Sequence, residues 1–229
     1  MHFDEFLEIG KSEFESFPEY VDQQLETLVD DDVAFLVYTS GTTGRPKGSM
    51  ITHGNISWVA SQIPNFSLVE SVKSKEPQFL SYLPLCHIFG RLTDLLIASH
   101  TMATINFAES IDTVQMDLAE IQPTIFPAVP RILERMHSAA IVRMKDATFI
   151  KRQLFKVSMY LGNIAAERKL NRNFNDPIAN ILLKIGWLLS FRALKKKLGL
   201  SKAETAISGA APIAPEILKF FLALGVPIF

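Results

Sequence analysis

The sequence predicts an α/β fold in which a largely parallel sheet is flanked by helices. The run Ala34–Tyr38 is apolar without polar alternation, which is typical of a strand buried on both faces. Further apolar runs alternate along the chain with segments of helical periodicity, the order found in parallel sheets. The 229 residues are 48% hydrophobic and 21% charged, an ordinary globular composition.

Turn residues and periodicity delimit the individual elements. Residues 1–31 form an acidic lead-in that is partly helical or irregular, and residues 32–229 form the main domain. A helix is predicted over His53–Ile63, because four apolar residues share one face, and Pro84 ends the strand that begins at Gln78. The remaining predicted strands are Gly48–Thr52, Thr101–Ala108, Pro123–Val129, Ala203–Gly209 and an incipient one at Val226–Phe229.

The second half of the chain is predicted to be mainly helical. A long helical region covers about residues 130–198, broken near Asn171–Pro177 by residues that favour turns. A shorter helix is predicted at Phe89–His100 and a final one at Ala214–Leu224, with Pro215 in its first turn. We expect the apolar face of this last helix and the unpaired edge at Val226–Phe229 to be exposed and to favour self-association.

The charge distribution excludes one class of partner and leaves another open. The net charge is -1, which gives no support for nucleic acid as the main partner. The first 32 residues are acidic, whereas residues 131–200 are basic. Two solvated faces explain this pattern; the alternative is a basic face that attracts an anionic ligand or membrane surface.

Targeting signals are not evident in the sequence. Cys86 is the single cysteine, so no intramolecular disulfide can form, and this suits a reducing compartment. No signal peptide is visible, and the apolar stretch Ile178–Leu194 carries Lys184 and Arg192, so it is interpreted as amphipathic rather than transmembrane. We expect a cytoplasmic location with peripheral contact with a membrane.

The segment Thr39–Gly48 is the candidate functional loop. It follows a predicted strand directly and supplies hydroxyls, three glycines and the cations Arg45 and Lys47. Glycines allow backbone N–H groups to converge on one anion, and lysine adds a mobile positive charge. The pattern is not a Walker A loop, because Lys47 precedes Gly48 and no Ser or Thr follows in place. A polyphosphate is the ligand that this mixture of groups fits.

Several segments resemble the adenylate-forming, AMP-binding superfamily. "YTSGTTGRPKG" (Tyr38–Gly48) is similar to its signature loop, and "YLPLCHIFGR" (Tyr82–Arg91) to its PL-x-H segment. "ISGAAPIAPEI" (Ile207–Ile217) resembles its SGAAP segment, and "FPAVPRILERM" (Phe126–Met136) the VPR stretch of long-chain fatty acyl-CoA ligases. The resemblance covers roughly Asp30–Phe229.

The resemblance implies a fold, a reaction and a set of site residues. The chain is expected to be an incomplete portion of the N-terminal domain, acting with ATP, Mg²⁺ and coenzyme A on a fatty acid. The phosphates would be held by the loop and His87 would lie near the acyl carboxylate or adenylate, with Lys47 and His87 as the catalytic residues. The expected loop contacts are Thr39, Ser40, Gly41, Thr42, Thr43, Gly44 and Lys47, and the expected adenine-facing wall is Gly209, Ala210, Ala211 and Pro212. No residue of this chain is assigned as a metal ligand.

Other parts of the family pattern lie outside this sequence. The family's YG-x-TE segment, its ribose-binding Asp and its C-terminal lid do not occur in these 229 residues. We therefore expect the chain alone to be inactive. An adenylate-forming ligase for another carboxylic acid remains an alternative, as does a non-catalytic nucleotide- or acyl-binding module.

Overall fold

The computed structural model describes residues 1–39, 46–65, 72–171, 176–209 and 211–229. The chain divides into two compact units, Met1–Ser61 and Gln62–Phe229. The division of the sequence into an acidic lead-in and a main domain stays a prediction.

The first unit is built from helices and one antiparallel hairpin. Strand β1 pairs with β2 from Val33 opposite Thr52 to Thr39 opposite Lys47. Backbone N–H groups of His53 and Gly54 donate to carbonyls of Asp32 and Asp30, which joins the start of the third helix to the acidic turn. The helices and strands of the first unit are α1 (Phe3–Ser16), α2 (Tyr20–Thr27), β1 (Val33–Thr39), β2 (Lys47–Thr52) and α3 (His53–Gln62).

The prediction that Ala34–Tyr38 is a strand buried on both faces is wrong. Among the described residues of the first unit, Val37 is the only buried side chain, while Leu36 and Tyr38 are exposed. Strand β1 pairs with β2 in a separate two-stranded ribbon and does not join the four-stranded parallel sheet. Such a ribbon has two faces to cover and no second layer of its own. Apolar content therefore identified the strand but not its burial.

The second unit contains a four-stranded parallel sheet in the order β4-β3-β5-β6. The α/β prediction with a parallel sheet is thus confirmed. The strands are β3 (Gln78–Ser81), β4 (Thr104–Phe107), β5 (Ile125–Pro127) and β6 (Thr205–Ile207).

Helices connect the strands and cover the sheet. A helical segment after β3 comprises α4 (Ile88–Gly90), a π-helical stretch (Arg91–Ile97) and α5 (Ala98–Thr101). The others are α6 (Val114–Ile121), α7 (Pro130–Lys145), α8 (Phe149–Asn171), α9 (Pro177–Gly186), a π-helical stretch (Trp187–Phe191), α10 (Arg192–Leu198) and α11 (Pro215–Ala223).

The core of the second unit lies between the sheet and these helices. Its largest fully buried side chains include Phe79, Phe126, Phe191 and Phe221. Burying a side chain of this kind stabilises the fold by about 1.5–3 kcal/mol relative to leaving it exposed. The unit therefore has a hydrophobic core of its own.

The last helix and the chain end correct a second expectation. The apolar face of α11 is buried, because Phe220 and Phe221 lie in the core and the helix packs tightly on α8. A Cβ atom on Gly162 of α8 would lie 2.5 Å from the backbone oxygen of Ala223, so only glycine permits this approach. Phe229 exchanges backbone hydrogen bonds with β6 through Ala206 and Ser208, and Val226 is buried. Self-association through this region stays a prediction.

Candidate functional site

The two ends of the candidate loop are held together by the hairpin of the first unit. Thr39 ends β1 and Lys47 begins β2, and the two residues are paired in register. The next pair brings Gly48 beside Tyr38, whose ring carbon lies 3.4 Å from where a Cβ on Gly48 would stand. Lys47 is exposed at the exit of the loop. Its ammonium group is thus accessible to a ligand.

The centre of the loop lies outside the described residues. This applies to Ser40, Gly41, Thr42, Thr43 and Gly44. Their phosphate contacts, and the contact predicted for the Thr39 side chain, stay predictions.

His87 caps a helix at the carboxyl end of β3. Its backbone N–H donates to Pro84 O at 2.8 Å, and its Nδ1 accepts from Phe89 N at 3.1 Å. Because Nδ1 is the acceptor, a neutral imidazole carries its proton on Nε2. The side chain is exposed, so Nε2–H can donate to an anionic oxygen of a ligand. This is the chemistry expected of a residue beside a carboxylate or phosphate.

The helix that His87 caps meets the segment that follows β6. Phe89 is buried, and its ring lies 3.2 Å from where a Cβ on Gly209 would stand. A side chain at 209 would have to displace this ring. Gly90 is also constrained, because a Cβ there would lie 3.0 Å from the carbonyl oxygen of Pro84. Gly209 therefore allows the SGAAP segment to approach the PL-x-H segment, and Gly90 allows the PL-x-H segment to fold tightly on itself.

The remaining residues of the predicted adenine-facing wall are only partly described. Ala211 and Pro212 follow Gly209 and are exposed, whereas Ala210 lies outside the described residues. Their predicted contact with adenine stays a prediction. The same holds for a joint catalytic role of Lys47 and His87, which belong to different units.

The buried carboxylate of Asp94, which lies near the carboxyl end of β3, was not identified from the sequence. Asp94 accepts a short hydrogen bond from Ser81 Oγ at the end of β3 and another, at 2.9 Å, from Thr93 Oγ1. All three residues are buried. A single Asp in an apolar helix is easily taken for a solvated position. The sequence signal that could have revealed it is the presence of the polar residues Ser81, Thr93 and Asp94 in segments that are otherwise mainly apolar.

Tyr82 links the same strand to the start of α7. Its hydroxyl accepts from Val129 N at 3.1 Å. Burial raises the pKa of Tyr82 to about 12, opposed by the Val129 hydrogen bond and assisted by the nearby Asp94 carboxylate. The phenol is therefore neutral at physiological pH and acts as a structural tie between the PL-x-H and VPR segments.

The described residues do not offer a metal-binding cluster. Within those ranges, no group of three or more His, Cys, Asp or Glu residues is placed to hold an ion. The side chains present therefore do not fit an all-protein Mg²⁺ site. We assign no metal ligand among them and derive no step through the ion.

Comparison with known proteins places the chain in a family. The profile of the AMP-binding enzyme family matches residues 1–229. The human long-chain-fatty-acid–CoA ligase ACSBG2 is 33% identical over 98% of this chain and 33% of its own length. Long chain acyl-CoA synthetase 3 of Arabidopsis thaliana is 32% identical over 95% of this chain and 30% of its own length. The chain thus spans about a third of the length of these relatives.

A solved structure is similar in fold. The adenylation domain of the carboxylic acid reductase from Segniliparus rugosus, in complex with AMP and a co-purified carboxylic acid, superposes with a TM-score of 0.50. The match has 23% identity and covers 87% of this chain and 27% of that one. This match shows the fold. The family profile over residues 1–229 identifies the chain as a member of the AMP-binding enzyme family.

Proposed function

We propose that the protein activates a long-chain fatty acid in two steps. In the first, a carboxylate oxygen attacks the α-phosphorus of ATP, an acyl–AMP anhydride forms, and pyrophosphate leaves. In the second, the thiol of coenzyme A attacks the acyl carbon, its proton passes to solvent, and AMP leaves as the thioester forms. Relatives at 33% and 32% identity that are named as long-chain acyl-CoA ligases and synthetases support the choice of substrate.

The observation that carries the proposal is the junction of Phe89 and Gly209. It lies beyond the carboxyl ends of β3 and β6, which flank β5 in one parallel sheet. Ligands of open α/β sheets bind outside the carboxyl ends of the strands. The two family-like segments therefore meet where a nucleotide would be expected.

Each residue has a distinct part in the proposed chemistry. Lys47 neutralises charge on the β- and γ-phosphates as pyrophosphate leaves. The Nε2–H of His87 donates to an oxygen of the acyl carboxylate or of the adenylate. The small residues from Gly209 to Pro212 leave space for the adenine ring. Magnesium, when present with ATP, would add positive charge at the phosphates.

The 229-residue chain alone does not turn over at a useful rate, because the family's YG-x-TE segment, ribose-binding Asp and C-terminal lid do not occur in these residues. The protein works in the cytoplasm, at a membrane surface where its acyl substrate partitions.

The test is fatty-acid-driven exchange of isotope between pyrophosphate and ATP. The full-length protein and the 229-residue chain are assayed with palmitate, oleate, a short-chain acid and benzoate. We expect exchange by the full-length protein with the long acids and none by the chain. Preference for benzoate or the short acid would favour a ligase for another carboxylic acid. Nucleotide binding without exchange would favour a binding module, and exchange by the chain would contradict its proposed inactivity.

A further inference from the structure

An apolar stripe runs along the exposed side of the helix Pro177–Leu198. We define it by Ile178, Ile181, Ile185 and Leu188, which follow the i, i+3, i+7, i+10 spacing of one helical face. All four are exposed, and Leu188 retains 77% of its accessible surface. Trp187 beside the stripe is also exposed. Large aliphatic side chains aligned in this way are costly to leave in water.

The opposite face of this helix packs against the rest of the second unit, and this packing keeps the stripe exposed to solvent. This opposite face buries Ala179, Gly186 and Phe191. Gly186 leaves room for the Phe191 ring, because a Cβ there would stand 2.7 Å from that ring, and the same Cβ position is in ordinary contact with Ser158 O of α8 at 3.5 Å.

The start of the helix is held by a partly buried ion pair. Asp176 caps it by accepting from Ala179 N at 2.7 Å, and Arg168 of α8 donates two hydrogen bonds of 3.0 Å to the same carboxylate. The orientation of the stripe is therefore set by the fold of the second unit.

Positive charge surrounds the stripe. The helix Pro177–Leu198 contains five lysines and arginines and no carboxylate. Lys184, Arg192, Lys196 and Lys197 are exposed. The guanidinium of Arg192 lies over the Trp187 ring, 5.4 Å from its centroid. Residues 149–198 together hold eleven lysines and arginines against two carboxylates.

Charge and shape together indicate which occupant fits this surface. An apolar stripe bordered by lysine and arginine is the pattern of helices that lie in the interface of an anionic bilayer. A second copy of this chain that docked through the same surface would bring the same cations face to face and would be repelled. An anionic lipid surface offers both an apolar layer and the opposite charge.

The helix is suited to lie on a bilayer rather than cross it. Pro177–Leu198 has the length and composition of a membrane span, and 22% of the relevant window is buried in the fold. Crossing would require separation from α8 and would draw Lys184 and Arg192 into hydrocarbon at a cost of about 2.5–3.5 kcal/mol for a central cation. Lying flat keeps the packed face on α8 and leaves the cations at the headgroups.

We propose that the stripe and its surrounding cations dock the protein on the surface of an anionic phospholipid bilayer. Trp187 enters the headgroup region, the four aliphatic side chains reach the acyl boundary, and the cations pair with lipid phosphates and carboxylates. The inference names the surface that would hold the protein at the membrane proposed above. This surface is separate from the junction of Phe89 and Gly209, so its failure would leave the proposed activity untouched.

The first test uses the fluorescence of Trp187. The chain has two tryptophans, so Trp58→Phe leaves Trp187 as the reporter. Vesicles of phosphatidylcholine alone are compared with vesicles that also contain phosphatidylserine. We expect a blue shift and co-flotation only with the anionic vesicles, both weakened by added salt. Brominated phospholipid in the anionic vesicles should quench Trp187. Absence of quenching, or equal binding to neutral vesicles, would overturn the proposal.

The second test uses matched variants. Ile181→Asp with Leu188→Asp places two charges in the stripe, and we expect anionic-vesicle binding to fall about tenfold or more. The control pair Met102→Asp with Met116→Asp changes two exposed methionines that lie outside the stripe in the same unit, and this variant should bind as the unsubstituted chain does. Circular dichroism confirms that each variant is folded. Equal losses in both pairs would contradict the proposal, as would loss of self-association in light scattering without loss of vesicle binding.

Discussion

The two units of the molecule differ in how they use apolar side chains. In the described part of Met1–Ser61, Val37 alone is buried, although the unit contains the loop that most closely resembles a known family. In Gln62–Phe229, four parallel strands and their helices enclose a large core, and glycines at 162, 186 and 199 allow close packing.

A functional motif and a stable core therefore need not lie in the same unit. Glycines and hydroxyls suit a loop for capturing an anion, but they supply no apolar surface to bury. The stability of the second unit can therefore be altered without touching the loop, and the reverse also holds. Each unit contains one tryptophan, Trp58 in the first and Trp187 in the second, so their unfolding can be followed separately.

Substitution of one glycine in each unit should give opposite effects on stability. Gly162→Ala should lower the free energy of unfolding of the second unit by about 3 kcal/mol, because the new Cβ would meet the Ala223 backbone oxygen. Gly10→Ala should raise that of the first unit by about 0.5–1 kcal/mol, because Gly10 lies within α1 with nothing within 4 Å of a Cβ. Urea unfolding is followed through Trp187 in a Trp58→Phe background and through Trp58 in a Trp187→Phe background. If Gly162→Ala destabilised the second unit and Gly10→Ala also destabilised the first, the distinction between the two units would be lost.

A buried lysine gives the second unit a pH dependence of its own. Burial lowers the pKa of Lys195 from 10.5 to about 8. The unfolded chain therefore binds the proton more tightly, and this residue opposes folding below pH 8; the penalty is relieved as pH rises from about 8 towards 10.5. Lys195→Met should stabilise the unit at pH 7 by about 2 kcal/mol, and by much less at pH 10.

The neighbouring Lys197 is the control for that substitution. It is exposed, so Lys197→Met should change the urea midpoint little at either pH. A gain for Lys195→Met that is the same at pH 7 and pH 10 would show that packing, not charge, causes it.

The smallest expected effect on stability separates two roles of His87. His87→Ala removes the acceptor for Phe89 N and should cost about 1 kcal/mol in the urea unfolding of the second unit. His87→Asn can keep a capping oxygen and should retain stability, but it removes the imidazole and should reduce pyrophosphate exchange by the full-length protein about tenfold or more. Full exchange by the Asn variant would reduce His87 to a structural cap.

The elements of the second unit were largely predictable because local signals agreed there. Apolar runs ended by Pro84 or followed by a turn marked β3, β5 and β6, and Pro215 marked the start of α11. The burial of α11 was not predictable from its own residues. It depends on Gly162, far away in the sequence, which makes room for Ala223.

The candidate site was predictable only where one segment carries its own motif. The loop and His87 lie in recognisable stretches, whereas Asp94 depends on Ser81, thirteen residues away on another element. The exposure of β1 had no local signal either, since an apolar strand reads the same in a ribbon and in a covered sheet.

The most direct test of the account is whether Lys47 lies beside the triphosphate of bound ATP. An ATP derivative with a reactive acyl group on its γ-phosphate transfers that group to a nearby lysine, and mass spectrometry then locates it. We expect labelling of Lys47 in the full-length protein, suppressed by excess ATP, whereas the exposed Lys11 of the same unit should show no labelling that ATP suppresses. Labelling that leaves Lys47 unmodified, or that ATP does not suppress, would contradict the account.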